Sequence, residues 1–156
     1  MKTIHSTSEQ TTRQLGEQIG RAAFPGLRIA LTGDLGAGKT TFVQGLAKGA
    51  GVPESYYITS PTFTIINEYP AGTQTLCHLD LYRLGSVDEL DHIGFEECVD
   101  HQHLLVVEWP QMLKDNAFAF DLEMDFTFDA AYHRIITLIP SGQPGTNLVS
   151  SLSLSF

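Results

Sequence analysis

The chain has 156 residues, of which 42% are hydrophobic, and carries a formal net charge of −9. This length fits one domain, and the hydrophobic content is sufficient for a single core. Nine Lys and Arg residues stand against 18 acidic ones, so we do not expect direct, tight binding to nucleic acid. The N-terminal residues lack an apolar signal segment and no apolar run is long enough to span a bilayer. We therefore expect a soluble cytoplasmic protein without membrane association.

The first third of the chain predicts a helix, a strand and a second helix. Residues 6–23 carry apolar side chains at helical spacing after a Ser/Thr-rich start, and Pro25-Gly26 ends the pattern. The apolar run at residues 27–32 predicts a strand, and residues 41–48 predict a helix that ends at glycines before Pro53. Together they form a β–loop–α unit.

The middle of the chain predicts a hairpin, weak helical segments and a buried strand. A β-hairpin is predicted from two strand-like segments, residues 64–69 and 75–80, on either side of a Pro-Ala-Gly turn. Residues 87–90 and 94–99 have weak helical patterns, and the continuous apolar run at 104–107 predicts a short buried strand.

The C-terminal third predicts two antiparallel strands and a tail. Residues 120–129 alternate strictly between apolar and polar side chains, and residues 133–139 follow after a short turn. The Ser/Gly-rich segment 141–156 predicts a flexible C-terminal tail, although the alternation of its last apolar residues with serines would also suit an added edge strand. We therefore predict one α/β domain over residues 1–140, with a mixed central sheet flanked by helices.

Residues 33–40 read Gly-Asp-Leu-Gly-Ala-Gly-Lys-Thr and lie between the first predicted strand and the second helix. This is the pattern of a phosphate-binding P-loop, in which backbone N–H groups and the helix N-terminus bind an anion. Lys39 is expected to reach the β- and γ-phosphates, and the Thr40 hydroxyl to ligate Mg²⁺. The loop residues expected to hold the nucleotide are Gly33, Asp34, Gly36, Ala37, Gly38, Lys39 and Thr40.

Three further segments could reach the γ-phosphate. Ser60-Pro61-Thr62 precedes a strand as switch segments do, although the same tripeptide also suits an ordinary turn. Asp80 ends a predicted strand, where it could serve the site, pair with Arg83 or cap a helix. Glu108 follows four apolar strand residues, the position of a Walker-B carboxylate, and its burial would be costly without a cation or donor. Trp109 is either core or a neighbour of the nucleotide.

Cys77 and Cys98 lack the spacing of a metal or redox motif and are expected to be buried free thiols. His101 and His103 lie on one side of a strand start, but two histidines without a third ligand do not make a metal site. We expect them to be surface residues.

The order and spacing of four motifs resemble the TsaE family, also called YjeE. These motifs are the loop and helix start at residues 33–42, Ser-Pro-Thr-Phe at 60–63, His-Leu-Asp-Leu-Tyr-Arg at 78–83 and Glu-Trp-Pro at 108–110. The resemblance extends from residue 6 to about residue 140. Members of this family are small bacterial P-loop ATPases needed for the threonylcarbamoyladenosine modification of tRNA.

The resemblance implies slow ATP hydrolysis that the TsaB–TsaD protein pair stimulates and that resets their tRNA-modifying cycle. It implies that Lys39, Asp80 and Glu108 are the catalytic residues, with ATP and Mg²⁺ as cofactors. By position it assigns Thr40 and Glu108 to Mg²⁺ and Asp80 to the metal shell or the attacking water. The remaining residues expected near the nucleotide are Thr7, Thr41, Thr62, Trp109 and Arg134. Given its negative charge, the isolated chain is expected to act on these proteins without binding tRNA itself.

Alternative functions share the P-loop. A GTPase needs an Asn-Lys-x-Asp segment to read guanine, and the sequence has none. A small nucleoside or nucleotide kinase could use Asp80 as its base, but only Arg83 and Arg134 follow the loop where such enzymes usually have an arginine-rich lid. A non-catalytic, ATP-dependent assembly module shares every binding residue and stays open at this point.

Overall fold

A computed structural model of the chain describes residues 1–154. Within these residues a seven-stranded sheet runs in the order β1-β7-β6-β2-β5-β4-β3. The strands are Lys2–Ser6 (β1), Arg28–Gly33 (β2), Ile66–Ala71 (β3), Gln74–Asp80 (β4), His103–Glu108 (β5), Leu122–Phe128 (β6) and Arg134–Pro140 (β7). The helices are Glu9–Ala22 (α1), Lys39–Ala50 (α2), Phe95–Cys98 (α3), Gln111–Asp115 (α4) and Gly142–Ser151 (α5), with a 3-10 helix at Val87–His92.

The sheet is mixed, as predicted. Strand β5 pairs in parallel with both β2 and β4, and β6 pairs in parallel with β2. The outer strands are antiparallel to their neighbours: β3 to β4, β7 to β6 and β1 to β7. In the register, Glu108 lies opposite both Leu31 on β2 and Asp80 on β4, so the carboxyl ends of three central strands meet at one edge.

The core has one layer on each face of the sheet. On one face, α1, α2 and α5 pack over buried residues such as Leu31, Leu76 and Val106. On the other face, the 3-10 helix, α3 and α4 cover Leu79 and Val107. This alternation follows from the period of two along each strand, because neighbouring side chains point to opposite faces.

Helices α1 and α2 cross with their backbones in contact. A Cβ atom on Gly16 would lie 2.2 Å from the carbonyl oxygen of Phe42, and one on Gly45 would lie 2.0 Å from that of Arg13. Any larger residue at either position would push the helices apart. This close approach fixes α2, whose first turn includes the end of the glycine-rich loop of residues 33–40, against α1.

Two short elements were not predicted. Strand β1 contributes one apolar side chain, Ile4, to the core, and the strand is held by its pairing with β7, where Ile4 lies opposite Ile136. Helix α4 has only five residues, too few to show a helical period. Helix α1 begins within the predicted range 6–23, and the Ser8 hydroxyl caps it by accepting a hydrogen bond of 3.1 Å from the Thr11 N–H.

The prediction that residues 141–156 form a flexible tail is corrected by α5. The helix buries Leu148, Val149 and, at its C-cap, Leu152 in the same cluster as α1 and α2. These residues are spaced as one face of a helix. The prediction was wrong because it was based on the Ser/Gly-rich composition of the segment and on the alternation of its last apolar residues with serines. Residues 155 and 156, which belong to the predicted tail, lie outside the described residues. No helix in the described part of the chain combines the length and apolarity needed to cross a membrane.

Replacing Leu148 with Ala should destabilise the protein by about 2–5 kcal/mol, because it removes a buried side chain and leaves a cavity. Urea unfolding followed by circular dichroism measures the free energy. The matched control is Ser150→Ala on the exposed side of α5, expected to stay within about 0.5 kcal/mol of the native value. Equal stability of both variants and the native protein would show that α5 is not part of the cooperative fold.

Candidate nucleotide-binding site

A cleft of about 320 Å³ opens at the carboxyl edge of β2, β4 and β5. Open α/β sheets bind ligands at this edge because loops and helix N-termini converge there. Its lining residues come from the loop, the strand ends and distant segments: Glu9, Leu35, Gly36, Gly38, Lys39, Thr40, Thr41, Ser60, Thr62, Asp80, Glu108, Trp109 and Arg134.

The loop between β2 and α2 presents backbone donors to the cleft. Gly38 caps α2 with φ of 106°, a left-handed conformation that favours glycine, and within the described chain no side chain caps this helix. A Cβ atom on Gly38 would also lie 2.7 Å from Nε of Arg134. The first amides of α2 are therefore available to bind an anion.

Lys39 lies almost fully buried at the base of the loop. Its Nζ donates to the carbonyl oxygens of Gly33 at 2.5 Å and Asp34 at 2.8 Å, and lies 4.8 Å from the centre of the Trp109 ring. Burial lowers the pKa of Lys39, and the nearby charges of Glu108, Asp80 and Asp34 oppose this shift. An anion in the cleft would complete the pairing of this ammonium group.

Glu108 ends β5 with only 3% of its surface exposed. Its Oε1 accepts a hydrogen bond from Nε2 of His78 at 2.8 Å and lies 3.5 Å from the hydroxyl oxygen of Thr40. The carboxylate therefore meets the hydroxyl that follows the loop lysine. A threonine hydroxyl and a carboxylate oxygen in this position are ligands that Mg²⁺ accepts in P-loop proteins.

Asp80 ends β4 and is also 3% exposed. Its Oδ2 accepts from the hydroxyls of Ser60 at 2.8 Å and Thr62 at 3.1 Å, while Oδ1 accepts from the Tyr82 N–H at 3.0 Å. The carboxylate thus connects the Ser60-Pro61-Thr62 segment to the sheet. Of the interpretations left open for Asp80, pairing with Arg83 is not what the structure shows, because Arg83 stacks on Phe63 at 4.4 Å.

Most residues predicted for the site line this cleft. Gly33, Asp34 and Ala37 contribute backbone instead: the first two accept from Lys39, and the carbonyl oxygen of Ala37 accepts from Nε of Arg134 at 3.1 Å. Thr7 does not line the cleft, whereas Glu9, two residues further along, does. Helix α1 starts at Glu9 and so directs this residue, rather than Thr7, towards the loop.

His78 is a site residue that the sequence reading missed. It is fully buried, and its Nδ1 has no hydrogen-bond partner among residues 1–154, so its contact with Glu108 is the interaction that holds it. The sequence could have indicated this role, because His78 lies two residues before Asp80 on the same strand, and this spacing places both side chains on one face of the sheet.

Together, the loop, the strand order and the carboxylate at the end of β5 define an α/β protein of the P-loop NTPase type. A profile of the family described as threonylcarbamoyl adenosine biosynthesis protein TsaE matches residues 6–136. The chain belongs to the TsaE family, which confirms the resemblance and the fold class expected from the sequence.

Individual relatives are similar to this chain in sequence over most of their length. A protein from Treponema pallidum described as tRNA threonylcarbamoyladenosine biosynthesis protein TsaE is 39% identical, with 85% of this chain and 96% of the relative covered. A Bacillus subtilis protein with the same description is 35% identical, with 83% and 85% covered. The crystal structure of Bacillus subtilis YdiB is similar with a TM-score of 0.77 at 30% identity, covering 97% of this chain and 93% of that one.

Replacing His78 with Phe should destabilise the protein by about 1–3 kcal/mol, because Glu108 would lose a buried hydrogen-bond donor. A double-mutant cycle with Glu108→Gln, followed by urea unfolding, isolates the pair. The double variant should be more stable than the sum of the two single losses implies, since no buried charge is left unpaired. Strict additivity would contradict an energetic coupling between these side chains.

Proposed function

We propose that the protein is a Mg²⁺-dependent ATPase that supports threonylcarbamoyladenosine modification of tRNA by acting on the TsaB–TsaD pair. The observation that carries the proposal is the meeting of Glu108 with Thr40, next to Lys39, at the mouth of the loop. Membership of the TsaE family supplies the tRNA-modification context. The charge of −9 favours a protein partner over direct contact with a polyanion.

The residues present suit ATP and Mg²⁺. Lys39 would bind the terminal phosphates, Thr41 the α-phosphate, and the exposed amides of α2 the remaining oxygens. Thr40 and Glu108 would hold Mg²⁺, which when bound neutralises charge on the phosphates. The buried carboxylates of Glu108 and Asp80 support this interpretation, because a cation between them would offset part of the cost of burying both charges.

Asp80 would orient the attacking water and accept hydrogen bonds from it. The same carboxylate bonds Ser60 and Thr62, so a γ-phosphate and its metal would compete for these hydroxyls. We infer that the Ser60-Pro61-Thr62 segment orders around ATP and rearranges after hydrolysis, which changes the surface offered to the partner proteins. This link between the site and a half-buried segment favours an ATPase switch over a kinase.

Replacing Lys39 with Ala should abolish measurable binding of Mg-ATP, because it removes the cation that faces the phosphates in a site otherwise built of backbone donors. Isothermal titration calorimetry is the measurement, with the exposed Lys48→Ala as the matched control. Since burial lowers the pKa of Lys39 below its ordinary 10.5, the native affinity should also fall as pH rises through that lowered pKa. Native affinity in the Lys39→Ala protein would refute the loop assignment.

Replacing Glu108 with Gln or Asp80 with Asn should lower turnover on the order of 10²-fold while sparing most of the nucleotide affinity. These carboxylates act on the charge and the water of the transition state more than on bound phosphates. Phosphate release at saturating Mg-ATP, with and without TsaB–TsaD, separates an ATPase from a non-catalytic assembly module. Asp91→Asn, at an exposed position of the 3-10 helix, serves as the control.

Native turnover in either site variant in the presence of the partners would make that carboxylate structural. No phosphate release by the native chain, with or without the partners, would contradict the ATPase and leave the assembly module.

A further inference from the structure

Three potential metal ligands come together on the face of the sheet opposite the nucleotide cleft. Glu68 on β3 and Cys77 on β4 are directly opposed in the strand register, and Cys98 at the end of α3 packs over them. Both cysteines are buried free thiols, as predicted. Oε1 of Glu68 lies 3.6 Å from Sγ of Cys77 and 3.7 Å from Sγ of Cys98, and the three atoms lie within 4.8 Å of one another.

These distances match the edges of a tetrahedral zinc site. Zn–S bonds of about 2.3 Å and Zn–O bonds of about 2.1 Å place sulfur and oxygen ligands about 3.6 Å apart at the tetrahedral angle. Both sulfurs already stand at this separation from the same carboxylate oxygen. A cation could therefore enter with little movement of the three side chains.

The surroundings provide an entry path and a favourable charge. Glu68 is exposed and lines a surface cleft of about 460 Å³ together with Glu97, the residue before Cys98. Two carboxylates at the opening attract a cation, and a water molecule from the cleft would complete a fourth ligand position. Two sulfur ligands exclude Mg²⁺ and select a thiophilic ion.

The protons of the two thiols set part of the cost of metal binding. The neighbouring Cys98 thiol, followed by burial and the charge of Glu68, raises the pKa of Cys77. Zinc binds cysteine as the thiolate, so a bound ion takes the place of the thiol protons. Binding forms two metal–sulfur bonds and one metal–oxygen bond, and releases two protons to the solvent.

We propose that Glu68, Cys77 and Cys98 form a binding site for one Zn²⁺ ion per chain. The ion would join the β3–β4 hairpin to α3, and its role would be structural, because these side chains face away from the P-loop. The alternative for Cys77 and Cys98 is a disulfide bond between them. It would need an external oxidant and would make no use of Glu68, whose carboxylate oxygen is shared by both thiols.

Calorimetric titration of the reduced, metal-free chain with Zn²⁺ tests the site. We expect one ion per chain, about two protons released as judged from buffers of different ionisation enthalpy, and a rise in melting temperature. Co²⁺ should give the absorption of thiolate coordination. Glu68→Gln changes only an exposed carboxylate and should lower affinity at least tenfold, and Cys98→Ser should lower it further, since both remove a direct ligand.

Matched variants locate the ion. Glu96→Gln, an exposed acidic neighbour on α3, and Glu108→Gln in the nucleotide site should both bind Zn²⁺ as the native chain does. Zinc binding that survives Glu68→Gln and Cys98→Ser, or that is lost in Glu108→Gln, would overturn the proposal. So would the absence of binding to a chain with two free thiols, or a Cys77–Cys98 disulfide that persists under the reducing conditions of the titration.

Discussion

The parallel pairing of β5 between β2 and β4 is the constraint on which the rest of the site depends. It aligns Glu108 with Leu31 on one side and Asp80 on the other, so two carboxylates are buried at the edge where the glycine-rich loop begins. Buried charges are costly unless they find donors. Each carboxylate has them: His78 and Thr40 for Glu108, and two hydroxyls with a backbone N–H for Asp80.

The loop provides hydrogen-bond acceptors for the ammonium group of its own lysine. Lys39 donates to two carbonyls of its own loop and lies against Trp109, so a bound phosphate would replace bonds that already exist. Trp109 has a left-handed backbone with φ of 57°, a conformation that costs a non-glycine residue on the order of 1 kcal/mol or more. Its ring also lies 4.9 Å from that of Tyr82. The contact between these two rings therefore links the ends of β4 and β5 beside the cleft.

Local patterns in the sequence were enough to find the parts of the site that depend on neighbouring residues. The loop glycines, Lys39 and the carboxylate after a buried strand each follow from a short segment, because the strand, turn and helix that position them are adjacent along the chain. His78, β1 and α5 depend on contacts between distant segments. The role of His78 cannot be predicted from its own strand, because its partner Glu108 lies on β5. The apolar face of α5 likewise could not be assigned to the core without the surface that β7 and α1 form.

The two faces of β4 separate two roles within one strand. His78 and Asp80 point to the face of the P-loop helix, whereas Cys77 and Leu79 point to the face covered by α3. The backbone N–H of Asp80 donates to the carbonyl of Ile65 at 2.9 Å, and that of Ile65 donates to Pro61 at 2.7 Å. The end of β4 therefore holds the Ser60-Pro61-Thr62 segment through backbone as well as side-chain hydrogen bonds.

The carboxylate of Asp80 is hydrogen-bonded both to the end of the sheet and to this segment. A change in what Asp80 binds must therefore move the segment, the end of the sheet or both. The packed core beneath β4 resists movement of the sheet, so the proposed rearrangement would fall on the Ser60-Pro61-Thr62 segment.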